Sequence, residues 1–190
     1  RLFPLRKQTD SYNFQELAKL SGDLTTIPTI YSGLEKSVEQ LKKHSPLADE
    51  LHIKPNALVM LRQNDPKMRF VNGSTGYVRN IKKANILVEL LNGRHVDIEP
   101  VSFSLLNAEG ISMASATNFP LSLAYAATIH KAQGMTLDRL VVNLNSLWEP
   151  GQAYVALSRV MDPAQLRVEG WQPQSIKADP LVEKFYEQFS

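Results

Sequence analysis

Six residues able to bond a phosphate, or to bring a backbone close to one, fall within nine positions: Thr128, His130, Lys131, Gln133, Gly134 and Thr136. Hydroxyls and a carboxamide donate, Lys131 adds positive charge, and Gly134 permits a close backbone approach. Two apolar runs bracket the cluster. Leu121, Leu123 and Tyr125, with the small Ala124, Ala126 and Ala127, read as one strand with little polar relief. Leu140, Val141, Val142 and Leu144 read as a second. Polar residues at the end of a buried strand are where open α/β sheets place ligand chemistry. The same composition suits an ordinary connection between strands, and residue types alone leave both readings open. A further candidate is Arg159, the one cation in Gln152–Val160, which reads as a helix between Gly151 and Asp162-Pro163. An arginine among apolar neighbours either pairs with a local carboxylate or meets an anionic ligand.

The elements that must position these residues belong to an ordinary globular chain. Its 190 residues are 43% hydrophobic and 21% charged, enough to bury a core in one α/β domain with a small added module. A net charge of +2 permits nucleic-acid binding without arguing for it. The absence of cysteine excludes disulfides and cysteine-based zinc or nucleophile chemistry. His44, His52, His95 and His130 show no metal-binding spacing, so no metal ligands are assigned. No run of about 18 apolar residues is present to span a membrane, and Arg1–Asp10 has too short an apolar stretch for a signal peptide. The chain starts without Met and as if inside a strand, the mark of a processed or excised piece.

In chain order, Leu2–Leu5 reads as a strand and Asp10–Leu20 as a helix with Phe14, Leu17, Ala18 and Leu20 on one side. Asn13, in its expected first turn, is placed to cap a backbone amide. Residues 23–34 read as a loop, and Leu34, Val38 and Leu41 mark a surface helix. From Ala57 the period shortens to that of strands: Ala57–Leu61, Gly76–Val78, Ile86–Leu91 and His95–Val101, with Asn92-Gly93 as a hairpin turn. Several short strands with glycine turns describe a small antiparallel barrel. Phe70, Tyr77 and His95 there either stack on bases or form its core and edges. Gln165–Trp171 reads as a last strand. Asp179-Pro180 opens a terminal helix whose Leu181, Phe185 and Phe189 form a face expected to dock on the domain, and Trp148 and Trp171 read as packing residues.

TIHKAQGMTLD followed by GQAYVALSR closely resembles motifs V and VI of superfamily 1 DNA helicases of the Pif/RecD type. VMLRQNDPKMRFVNGSTGYV resembles the entry to that group's Src-homology-3-like insert, LFPLRKQTDSYN resembles the region around its motif IV, and ADPLVEKFYEQF resembles its ending. The likeness touches most of the chain and is sharp over about residues 118–160.

The resemblance implies an α/β fold: a RecA-like parallel sheet (P-loop NTPase type) with helices on both faces, interrupted by an inserted Src-homology-3-like antiparallel β-barrel. Residues 1–56 and 118–190 would form the discontinuous second RecA-like domain, and 57–117 the insert. No GxxxxGK(S/T) loop occurs, and Asp-Glu occurs only at Asp49-Glu50 in a polar linker. The chain is therefore expected to complete an ATP site, not to constitute one, with the Mg²⁺ ligands in an N-terminal RecA-like partner domain. By resemblance Arg159 is the arginine finger and Gln133 and Gly134 face the nucleotide; Tyr154 either packs under Arg159 or lies beside the nucleotide. Thr128, His130, Lys131 and Thr136, with Arg6, Lys7 and Asn13 near motif IV, face single-stranded DNA. His130 as a core histidine bonded to a carbonyl is the other reading of that residue. The implied whole is a monomeric, ATP-driven 5′-to-3′ DNA helicase, intracellular and membrane-free, its fragment inactive alone. A non-catalytic single-strand-binding or scaffold module on the same fold is the rival reading.

Overall fold

The computed structural model describes residues 1–137, 139–145 and 147–189. The first half runs β1 (Leu2–Phe3), α1 (Arg6–Ala18), β2 (Thr25–Pro28), β3 (Ile30–Gly33), α2 (Glu35–His44), β4 (Glu50–Ile53), β5 (Leu58–Leu61), β6 (Thr75–Ile81) and β7 (Ile86–Leu90). The second runs β8 (His95–Ile98), β9 (Val101–Leu106), β10 (Ser112–Asn118), β11 (Leu121–Leu123), β12 (Ala127–Thr128), β13 (Leu140–Asn143), α3 (Gln152–Leu157), β14 (Leu166–Gly170) and α4 (Pro180–Glu187). Two compact units result, one of Arg1–Phe14 with Tyr125–Ser190 and one of Gln15–Ala124.

In the first unit four strands form a wholly parallel sheet in the order β12-β1-β13-β14. Parallel strands need covered faces, and the residues supply them: Leu2, Ile129, Leu140, Val142 and Leu144 form one cluster with Ala153 and Ala156 of α3. The second unit is antiparallel. Its five-stranded sheet, β11-β5-β6-β7-β8, centres on Val59, Leu61, Val78, Ile86, Val88 and Ile98, all below 3% exposed. The expected Asn92-Gly93 hairpin joins β7 to β8, where the Gly93 amide donates to the Leu90 carbonyl at 2.8 Å. A separate sheet, β3-β10-β9, carries α2 across Ala114 and Ala116, whose small side chains let Leu41 approach. The architecture is α/β, a parallel sheet with an inserted antiparallel β-domain.

Several local expectations need correction. The predicted single strand 121–127 is two strands in different units, because Leu121–Leu123 pairs antiparallel with β5 and Ala127–Thr128 pairs parallel with β1. Residues 23–34 are not a loop. Their short runs hold β2 and β3, whose partners β4 and β10 lie distant in sequence and leave no local period to read. For the same reason the compact units do not break at 56/57 and 117/118: residues 15–56 and 118–124 pair and pack with the second unit. The first helix starts at Arg6, not Asp10, so Asn13 lies mid-helix and caps nothing. Phe14 is 46% exposed, while Leu17 on the next turn is buried. Leu181 and Phe185 of α4 and Phe189 just beyond it are exposed, and Phe185 meets Phe189 at 5.0 Å between ring centroids, in place of the expected docking face. Trp148 and Trp171 are also exposed, and Phe70 is buried core.

One loop of the second unit carries its own pH signature. Asp65 is buried and accepts from the Arg69 amide, Nε and Nη2 at 2.8–3.0 Å. Those bonds hold its carboxyl at about 2, below the usual carboxylate range. A carboxyl depressed by folding contributes stability that is complete above its unfolded value, about pH 4, and is lost as pH falls through the folded one. Asp65→Asn is therefore expected to flatten the decline in the urea midpoint between about pH 4 and pH 2, and an unchanged acid limb would count against the pairing.

Candidate functional site

The polar cluster of the first unit starts at the carboxyl end of β12. Thr128 is buried, and its hydroxyl accepts the Lys131 amide at 3.2 Å, fixing a single 3₁₀ turn over His130–Ala132. Its apolar side is anchored by Ile129 and Ala132, both at most 1% exposed, so His130, Lys131 and Gln133 face outward. His130 is thus not a core histidine. A β-turn follows, in which the Met135 amide donates to the Ala132 carbonyl at 3.0 Å. Its second central residue, Gly134, has φ +76°, which a type II turn requires and an L side chain resists. Thr136 is exposed beyond it.

From there the chain crosses to the opposite edge of the sheet. Leu137 forms a parallel bridge with Val160, and its amide donates to the Arg159 carbonyl at 2.8 Å. Both segments lie just before β13 and β14, so Arg159 sits at the amino-terminal edge of the strands. Asp138, the last residue of the motif V likeness, lies outside the described residues. The Arg159 guanidinium donates from Nε to the Val155 carbonyl at 2.9 Å and from Nη2 to Ser158 Oγ at 2.7 Å. Both acceptors are neutral, and among the described residues no carboxylate pairs with it. Among the described residues the alternative of a local ion pair is therefore not seen. Tyr154, on the same helix, is 76% exposed.

A third element went unremarked in the sequence. Glu149-Pro150-Gly151-Gln152 forms a second turn of the same type: Pro150 at the first central position, Gly151 at the next with φ +77°, and the Gln152 amide donating to the Glu149 carbonyl at 3.4 Å. The Pro-Gly pair announces this turn; what was missed is that it folds the Gln152 side chain inward. Gln152 is 4% exposed, donates to Glu149 Oε2 at 2.9 Å and accepts the Trp148 and Glu149 amides. Glu149 Oε2 also lies 3.5 Å from His130 Nε2. The polar turn is thus tied to α3 at both ends, through Glu149 on the carboxyl edge and through Arg159 on the amino edge.

The residues assigned from the motif IV likeness divide. Arg6 and Lys7 are exposed on the first turn of α1, with Arg6 3.6 Å from Asp10. Asn13 is buried, its Nδ2 donating to the Ala126 carbonyl at 3.1 Å and its Oδ1 accepting the Ala126 amide at 2.9 Å. Both polar ends are used inside the unit, so Asn13 leaves the set of strand contacts. No group of three metal-ligating side chains is gathered among the described residues, and no described helix is long and apolar enough to cross a membrane.

Comparison with known proteins now bears on this geometry. Residues 101–178 match the herpes-type family described as helicase. The ATP-dependent DNA helicase Pif1 of Bdellovibrio bacteriovorus is 48% identical over 189 residues, covering 100% of this chain and 43% of that protein. The crystal structure of the Candida albicans Pif1 helicase superposes with a TM-score of 0.89 at 28% identity, over 100% of this chain and 49% of that one. The Pif1 helicase from Bacteroides, crystallised with ADP-AlF3 and ssDNA, matches with a TM-score of 0.77 at 25% identity, over 99% of this chain and 44% of that one. The chain spans less than half the length of these relatives. Matched end to end in sequence and in fold, it belongs to the superfamily 1 DNA helicases of the Pif1 type.

Proposed function

We propose that this chain is the second RecA-like lobe, with its insert, of an ATP-driven 5′-to-3′ DNA helicase, and that it lends Arg159 to a nucleotide held by an N-terminal partner lobe. The observation that carries the reading is the state of that guanidinium: bonded only to neutral acceptors among the described residues, and joined through its carbonyl to the segment after Gln133-Gly134. Phosphoryl transfer gathers negative charge on the γ-phosphate, and a planar, permanently charged donor suits that role. Gln133 and the Gly134 turn would line the nucleotide side, with Tyr154, exposed on α3, beside them in this reading. Mg²⁺, when bound, would neutralise phosphate charge, and its ligands belong to the partner lobe in this reading.

Single-stranded DNA would lie along the carboxyl edge, against His130 and Lys131, with Thr136, Arg6 and Lys7 as further phosphate contacts. Thr128 acts there by shaping the turn that presents His130 and Lys131. A Bacteroides relative that holds nucleotide analogue and strand together supports placing two ligands on one lobe pair. The test uses the 190-residue chain beside the full-length protein. The fragment is expected to show no ATP turnover and only weak single-strand binding that falls steeply with added salt, while the full-length protein hydrolyses ATP in response to single strands. ATP turnover by the fragment alone would defeat the divided-site reading.

A further inference from the structure

We propose that Glu149 and Gln152 are positioning residues that act through His130, fixing its imidazole on the DNA-facing turn and tying that turn to the helix that carries Arg159. The inference rests on the reading of His130 as a strand contact. His130 projects from a turn whose inner side is anchored, yet its own ring is 59% exposed and has one described partner, Glu149. Glu149 in turn is 49% exposed and would sample many rotamers unaided. Gln152 removes that freedom, because its carboxamide is buried and bonded to the Glu149 carboxylate and to two amides of the same turn. A buried carboxamide with three bonds is a rigid post.

Placement gives the post its consequence. Gln152 is the first residue of α3 and Arg159 follows just beyond its last turn. At 1.5 Å per residue the two lie about 10 Å apart along the helix, one at each edge of the sheet. Ala153 and Ala156 bury the helix between them. A strand that draws on His130 therefore pulls on α3 through the 3.5 Å His130–Glu149 contact and the Glu149–Gln152 hydrogen bond, and α3 carries the residue assigned to the nucleotide.

The experiment measures single-strand-stimulated ATP turnover of the full-length protein, with thermal melting of each variant to verify folding. Glu149→Ala and Gln152→Met, the latter close to glutamine in volume, should each raise the single-strand concentration for half-maximal stimulation by about 2- to 30-fold while the KM for ATP stays in place. Glu149→Gln keeps an oxygen acceptor for both neighbours and should restore the parental value. If Glu149 works through His130, the double variant His130→Ala/Glu149→Ala will be no worse than His130→Ala alone. Additive losses, or equal increases in the ATP and DNA constants, would overturn the proposal. No effect of Glu149→Ala where His130→Ala has one would overturn it while leaving the strand contact intact. No effect of His130→Ala would remove the strand contact itself and this inference with it.

Discussion

Arg159→Ala in the full-length protein is expected, on the proposed function, to lower single-strand-stimulated ATP turnover by about 10³- to 10⁵-fold, the range a finger arginine supplies to phosphoryl transfer. Single-strand affinity measured without nucleotide should hold. The two effects separate because the side chain does little for the fold: among the described residues it reaches the Val155 carbonyl and Ser158 Oγ, and it is Ala153 and Ala156 that seat α3 in the core. Loss of such contacts at a part-exposed site is worth roughly 0.5 kcal/mol, far below the several kcal/mol that a 10³-fold rate change represents. Arg159→Lys keeps the charge but not the planar fork, so little of the rate should return. Phosphate release at saturating ATP, read beside fluorescence anisotropy on a labelled single strand, checks both halves. A variant that turns over at the parental rate would remove the assignment.

Asn13→Ala should act in the opposite sense, on stability and not on ligands. The substitution strands the amide and carbonyl of Ala126, itself 5% exposed, and each buried unpaired group costs about 1–3 kcal/mol. The expected loss is about 2–6 kcal/mol, a large part of the 5–15 kcal/mol that holds a typical domain together. Asn13→Asp should be no remedy, because it turns the donor facing the Ala126 carbonyl into a buried acceptor. Urea denaturation measures the loss, and DNA binding per folded molecule should not change. A stable variant with weakened binding would return Asn13 to the strand contacts.

The reversal at Asn13 shows where sequence reasoning stops. One polar residue near a helix start fits a cap, a DNA contact or a bond to backbone 113 residues away, and local pattern cannot choose among them. Turn chemistry carried further. Gln133-Gly134 and Pro150-Gly151 both yield turns whose positive φ only glycine adopts readily. The ordered motifs likewise assigned Gln133, Gly134 and Arg159 to one ligand from residue order alone. What stayed hidden depends on distant pairing: β3 beside β10, β2 beside β4, and the break at Ala124–Ala126 that sends neighbouring residues into different sheets. The buried side of Gln152 was equally hidden, since an amide at the head of a helix looks solvated until Glu149 and Trp148 are seen around it.

Two residues near the start of the chain set a limit on how the protein can be shortened. Leu2 and Phe3 lie between β12 and β13, so a version trimmed to begin at Pro4 would leave those strands about 9–10 Å apart, twice the normal spacing, with nothing to bridge them. Any recombinant piece or affinity tag must leave this pair in register, or the edge that displays His130 and Lys131 has no foundation.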